Sequence, residues 1–244
     1  MRRTGNRFFV IVAVVTTILV AGIIADLPQI VYHRFTCVSG NEVIGSASGV
    51  PDQTLYVPVN FFIVSGHETT VSYDNETIRV VMEYSNEIWH DAGLSFQMRS
   101  IKFMTISDER TTPPRDDLDK LRLLGKEILG LDFEDGIIDV IYIKYFSDEP
   151  SGGGRTIQNN KISSIFINEF DDQYMANWTL AHELGHTLNL GHTCGTENLM
   201  FNAEVNEINE GRSTALTQEQ LLTARYFAFN AHCPDSSCII SHQS

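Results

Sequence analysis

The chain is short of basic side chains, proline, cysteine and repeats. Its 244 residues hold 17 Lys and Arg against 31 Asp and Glu, a formal charge of −14. That balance argues against nucleic acid as a partner, because phosphate binding is driven by Lys and Arg. Only seven prolines and no repeated unit exclude collagen-like, Pro-rich and solenoid architectures. Four cysteines, Cys37, Cys194, Cys233 and Cys238, none arranged as C-x-x-C, read as structural thiols or disulfides rather than a zinc site. Sequence does not choose among their pairings. Hydrophobic residues make up 43% of the chain, enough for a core and too many for a disordered chain.

Charge is also missing from one long stretch. Arg2, Arg3 and Arg7 precede an uncharged run from Phe8 to Ala25, and no acidic residue occurs before Asp26. At about 1.5 Å per residue the run makes a helix of roughly 27 Å, close to the hydrocarbon thickness of a bilayer. It is longer than the apolar stretch of a cleavable signal, and Ile23-Ile24-Ala25 is a poor cleavage site. The expectation is a signal anchor over 1–27 that leaves the rest of the chain outside the cytoplasm; the competing version is a cleaved signal and a secreted protein. Without its first 25 residues the chain carries 14 basic and 31 acidic side chains, a net of −17.

Residues 28–53, rich in Ser and Gly, read as a stalk, and 54–244 as the folded domain. Leu55 to Val64 is a strand candidate, with Pro58 placing it at an edge or a bulge. Glu76 to His90 has the apolar spacing of an amphipathic helix ended by Asp91-Ala92-Gly93. Further elements follow: a strand over Leu94 to Ile106, a helix from about Arg115 to Leu129, a buried strand over Ile137 to Tyr145 and a short strand over Ile162 to Ile167. Gly152-Gly153-Gly154 lacks the Lys-Ser/Thr of a phosphate loop and reads as a flexible surface loop. Strands, helices and a long final helix make a mixed layer with its site on that helix.

The chemistry lies in His182-Glu183-Leu184-Gly185-His186, followed by Asn189 and His192. Residues i and i+4 share a helical face, so His182 and His186 can present two nitrogens to one ion, with Glu183 rotated by about 100° and within reach of a water. A chance H-E-x-x-H in a chain of this histidine content is about one in a hundred, and a third histidine at a fixed position lowers that about thirtyfold. Trp178, Ala181, Gly185 and Leu188 share a face that packs inward.

His182 to His192 resembles the metzincin motif H-E-x-x-H-x-x-G-x-x-H, with Asn189 where that family has glycine. Asn is the best non-glycine residue for a left-handed turn. Asn198-Leu199-Met200, eight residues past His192, resembles the family's methionine turn, and the helix opened by Leu216-Thr217-Gln218-Glu219-Gln220 resembles the matrixin branch. The resemblance implies an α+β metzincin-like domain with a twisted, mostly parallel sheet, and one catalytic Zn²⁺ on His182, His186 and His192. Glu183 would be the general base of a zinc metalloendopeptidase acting on polypeptides. A monomer is expected.

Departures from the family bear on the rest. No histidine occurs between Asp91 and Leu180, so a second, structural zinc is not expected. Gly49-Val50-Pro51-Asp52 resembles the end of the inhibitory propeptide motif by coincidence, since Ser48 stands where its cysteine would be, and no cysteine switch is expected there. Asn202-Ala203-Glu204 replaces the Pro-x-Tyr that shapes the matrixin specificity pocket. His33, His67, His90, His232 and His242 have no partner spacing and read as surface or capping residues. Asp171-Asp172 and Asp148-Glu149 offer oxygens to Ca²⁺ without an EF-hand spacing, so solvated charge is the reading. Two alternatives to the peptidase stay open: an anchored zinc amidase on a non-protein amide, and a non-catalytic zinc-stabilised binding module.

Overall fold

The computed structural model describes residues 50, 52–128, 136–148, 153–159, 162–201 and 213–232. The expected anchor over 1–27 and nearly all of the stalk lie outside them, as do Cys37, Cys233 and Cys238. Among the described residues no helix is long and apolar enough to cross a membrane.

A five-stranded sheet has the order β2-β1-β3-β5-β4, formed by β1 (Leu55–Ser65), β2 (Leu94–Thr105), β3 (Ile138–Ile143), β4 (Gly154–Asn159) and β5 (Ile162–Asn168). The first three and β5 pair in parallel, and β4 runs antiparallel to β5 along the open edge. Strand β3 is buried at every position, as its continuous β-branched and aromatic run requires of a central parallel strand. Pro58 does not put β1 at an edge; β1 lies between β2 and β3. The register shifts between Val59 and Asn60, and the pairing with β3 begins only at Val59. The residue without an N–H thus sits beside a bulge and ahead of one ladder.

Alternation sorts the side chains onto two faces. Phe61, Ile63, Val140, Tyr142, Ile165 and Ile167 meet helices α1 (Asn75–Trp89) and α4 (Gln173–Thr187) in the larger core. Phe62, Val64, Ile141, Ile143 and Phe166 meet Leu121 and Leu124 in the smaller one. Helix α1 buries Ile78, Val81, Met82, Ser85 and Trp89 in one stripe and starts at Asp74, whose carboxylate accepts the Thr77 N–H at 2.8 Å.

The helix expected over 115–129 is shorter. Helix α3 spans Leu118–Leu123, capped by Asp117, and Leu124–Ile128 continues as a wider π-type turn. Pro113-Pro114 and the Asp117 cap fix where it can begin. A single turn, α2 (Asp108–Thr111), was not anticipated from sequence. The glycine triplet is not wholly a loop either, because Gly154 opens β4. Helix α5 (Gln218–Phe227) starts with a capping box between Thr217 and Gln220.

Candidate active site

Helix α4 is buried almost throughout from Ala176 to Gly185, and Trp178, Ala181 and Leu188 pack inward as the pattern requires. Tyr73, ahead of α1, and Phe170, ahead of α4, exchange hydrogen bonds between hydroxyl and backbone, tying together the starts of the two helices. The end of α4 is a Schellman turn. Leu190 N–H donates to Gly185 O and Asn189 N–H to His186 O, both at 3.0 Å. Asn189 has φ +63°, the one positive value among the described non-glycine residues. The left-handed Asn189 expected from the motif is therefore what turns the chain towards His192.

That turn brings His182, His186 and His192 together, with one ligand atom from each within 4.8 Å of the others. His182 Nε2 lies 3.2 Å and His186 Nε2 3.1 Å from His192 Nε2. His182 Nδ1 donates to Leu199 O at 2.7 Å and His186 Nδ1 donates to Leu190 O at 2.8 Å. A carbonyl only accepts, so both rings carry their proton on Nδ1 and turn an Nε2 lone pair to the centre. His192 Nε2 can hold one proton at most and cannot satisfy both neighbours. A shared cation does satisfy them: tetrahedral Zn–N bonds of about 2.05 Å set N···N edges of about 3.3 Å, close to the two separations from His192. The three residues therefore fit a zinc ion.

Supports for the cluster come from both sides of it in the chain. Trp178 stacks on the His182 ring at 4.6 Å. Met200 is fully buried beneath the helix, and a Cβ on Gly185 would sit 2.4 Å from its sulfur. Glycine at 185 is thus a packing requirement. Asn198 shapes the Met200 turn by accepting the Met200 N–H at 2.9 Å, and its amide pairs with that of Gln220 at 2.8 and 3.2 Å. The capping box of α5 is thereby joined to the segment whose Leu199 carbonyl orients His182. Cys194, two residues past His192, is disulfide-bonded.

Glu183 is 5% exposed and faces β4. Its Oε2 accepts the Thr156 hydroxyl at 2.6 Å. A Cβ on Gly154 would lie 2.4 Å from Glu183 Cγ and 2.5 Å from Oε1. Further along, Gln158 Nε2 donates to Thr187 O at 2.9 Å. On its other side β4 pairs with no other strand among the described residues. Asn168 N–H donates to Gly153 O at 3.1 Å, which in the antiparallel register turns the backbone groups of 153, 155 and 157 towards β5 and those of 154, 156 and 158 outward. The Gly154 carbonyl already accepts Arg115 Nε at 3.1 Å.

The three expected metal ligands thus meet at one place, and Glu183, next to His182 on the same helix, lies against Thr156 of β4. Sequence reasoning missed Gly154, Thr156 and the Asn198–Gln220 pair. The alternation Arg155-Thr156-Ile157-Gln158 was the available signal for β4, masked by the glycine triplet beside it. One other histidine departs from expectation. His232, read as a surface or capping residue, is 3% exposed and donates Nδ1 to Gly136 O at 3.2 Å. The cause is the turn Ala228–His232, which packs against β1 and brings His232 to Gly136 ahead of β3. Burial pushes its pKa below the ordinary value, against the opposing hydrogen-bonding influence of the Gly136 and Thr187 backbones.

No protein-family model and no curated protein matches the chain. Among solved structures it is similar to metalloproteinase-II from Bacteroides fragilis at 15% identity and TM-score 0.43, covering 62% of this chain and 47% of that one. It is similar to archaemetzincin from Methanopyrus kandleri at 14% identity and TM-score 0.40, covering 72% and 89%. A zinc-dependent peptidase from Methanocorpusculum labreanum is similar at 14% identity and TM-score 0.37, covering 68% and 99%. The chain spans about half the length of the first of these. Likeness at this level assigns neither family nor activity, and the functional reading rests on the site itself.

Proposed function

We propose that the chain is a zinc-dependent metalloendopeptidase of metzincin type, carried outside the cytoplasm on an N-terminal anchor. The observation that carries the reading is the convergence of three histidine Nε2 atoms, two with Nδ1–H tied to backbone carbonyls, beside a glutamate held against an open strand edge. A zinc ion on His182, His186 and His192 supplies Lewis acidity, polarising the scissile carbonyl and lowering the pKa of water towards about 7. Glu183 accepts the proton of the attacking water and returns it to the departing amine nitrogen.

Polypeptide is favoured over a non-protein amide by the edge of β4. The outward N–H and C=O groups of Thr156 and Gln158 match an extended peptide backbone, and main-chain pairing of this kind supplies affinity without demanding one side chain. A role as a binding module is disfavoured by Glu183, since a purely structural zinc has no use for that carboxylate. The matrixin branch is the finer proposal, supported by the eight-residue step from His192 to Met200 and by the helix opened at Thr217. The test is cleavage of a mixed peptide library by the zinc-loaded protein and by Glu183→Ala; cleavage of cell-wall amides with peptides left intact would replace this reading by the amidase.

A further inference from the structure

We propose that Thr156 is a positioning residue for the general base, and that it couples docking of the substrate on β4 to alignment of Glu183. The proposal rests on the peptidase reading above. Thr156 is the one described residue of the edge strand whose side chain is seen to hydrogen-bond Glu183. Its hydroxyl is 2.6 Å from Glu183 Oε2 and 3.2 Å from the Glu183 backbone carbonyl. A hydroxyl has a single proton, and the shorter, charge-assisted contact takes it, so the hydroxyl donates to the carboxylate. Its own N–H and C=O meanwhile face the open edge, where a peptide strand would pair.

Two further contacts make the arrangement specific. Gly154, two residues earlier on the same face, leaves the space that the Glu183 side chain fills. Gln158, two residues later, holds the Thr187 carbonyl at 2.9 Å and so fixes strand and helix in register. Glu183 is therefore clasped along β4 by Gly154 and Thr156, with Gln158 setting the distance. A strand that shifts to accept a peptide carries the base with it, and without the hydroxyl Glu183 keeps its place on the helix but loses its orientation.

The test compares zinc-loaded full-length protein with Thr156→Val, which has nearly the same shape and no donor, and Thr156→Ser, which restores the donor. Zinc affinity, kcat and KM on a library-selected peptide, and binding of one peptide bearing either a hydroxamate or a thiol tail are measured. The hydroxamate hydroxyl hydrogen-bonds to the base as well as reaching the metal, whereas the thiol reaches the metal alone. The expected result for Thr156→Val is unchanged zinc affinity, KM within twofold, kcat lower by about tenfold to a hundredfold, and hydroxamate binding weakened about tenfold with thiol binding unchanged. Thr156→Ser should recover both to within about threefold.

Equal hydroxamate binding by wild type and Thr156→Val would overturn the proposal. So would a parallel loss of zinc or thiol affinity, which would make Thr156 a support of the fold only. If the wild type cleaves no peptide, the peptidase reading fails by itself, while the ratio of hydroxamate to thiol affinity still decides the role of Thr156.

Discussion

Replacing Gly154 by alanine tests the close approach of β4 to Glu183, the proposed base. The backbone at Gly154 is not in the left-handed region, so alanine adds a methyl group without backbone strain. That methyl would lie 2.4 Å from Glu183 Cγ, 2.5 Å from Oε1 and 2.6 Å from Cδ. Ordinary carbon contacts need about 3.5 Å or more, so the side chain or the strand has to yield by about 1 Å. Glu183 is buried and bonded to Thr156, and cannot simply swing into solvent. A displacement of about 1 Å at reacting groups costs on the order of a hundredfold in rate, and the overpacking costs about 1–3 kcal/mol of stability. The assay is kcat on a library-selected peptide beside zinc content and thermal midpoint. Zinc should remain at the wild-type level, because the histidines are untouched. A kcat within twofold of wild type would refute the packing of the base against the strand.

Further expectations follow from the same geometry. Asn189→Ala forces a residue without Asn's left-handed tolerance to φ +63° and should cost about 1–2 kcal/mol and weaken zinc binding through His192, whereas Asn189→Gly should be close to neutral; chemical denaturation with metal titration checks both. Gln220→Ala removes the capping-box partner and both amide bonds to Asn198 and should cost about 1–3 kcal/mol, seen as a lower denaturation midpoint. His232 is held neutral by burial, so the unfolded chain takes up its proton first. Stability should hold above the ordinary histidine value and fall as pH drops from there towards the lower folded-state pKa. Denaturation between pH 7 and 5 should show a smaller decline in a His232→Gln variant, and an unchanged decline would count against it.

The sequence was most legible where chemistry and local structure coincide. Helix α4 could be read from histidine spacing and from the apolar face through Trp178 and Leu188, and the turn after it from Asn189, since few residues accept that backbone. It was least legible where tertiary contact overrides local preference. Glycine in a strand ordinarily signals a loop or bulge, and Gly154 belongs to β4 because Glu183 occupies the space a side chain would need. The Asn198–Gln220 pair bridges two segments well apart in sequence, and neither residue alone announces the other. His232 looked like an exposed histidine because nothing nearby in sequence shows that its turn packs against Gly136. The net −17 after the first 25 residues bears on substrate choice: neutral or cationic peptides should be cleaved faster than matched acidic ones at low salt, with the difference shrinking as salt rises.

The central claim is a zinc-dependent peptidase that uses Glu183 as its base. Its most direct test measures metal content and peptide cleavage together, for the wild-type chain and for Glu183→Ala. The account predicts about one zinc per chain in both proteins, cleavage by the wild type that is lost on chelation and restored by zinc, and cleavage lowered by several orders of magnitude in the variant. Zinc bound by both proteins with no peptide cut by either would contradict it.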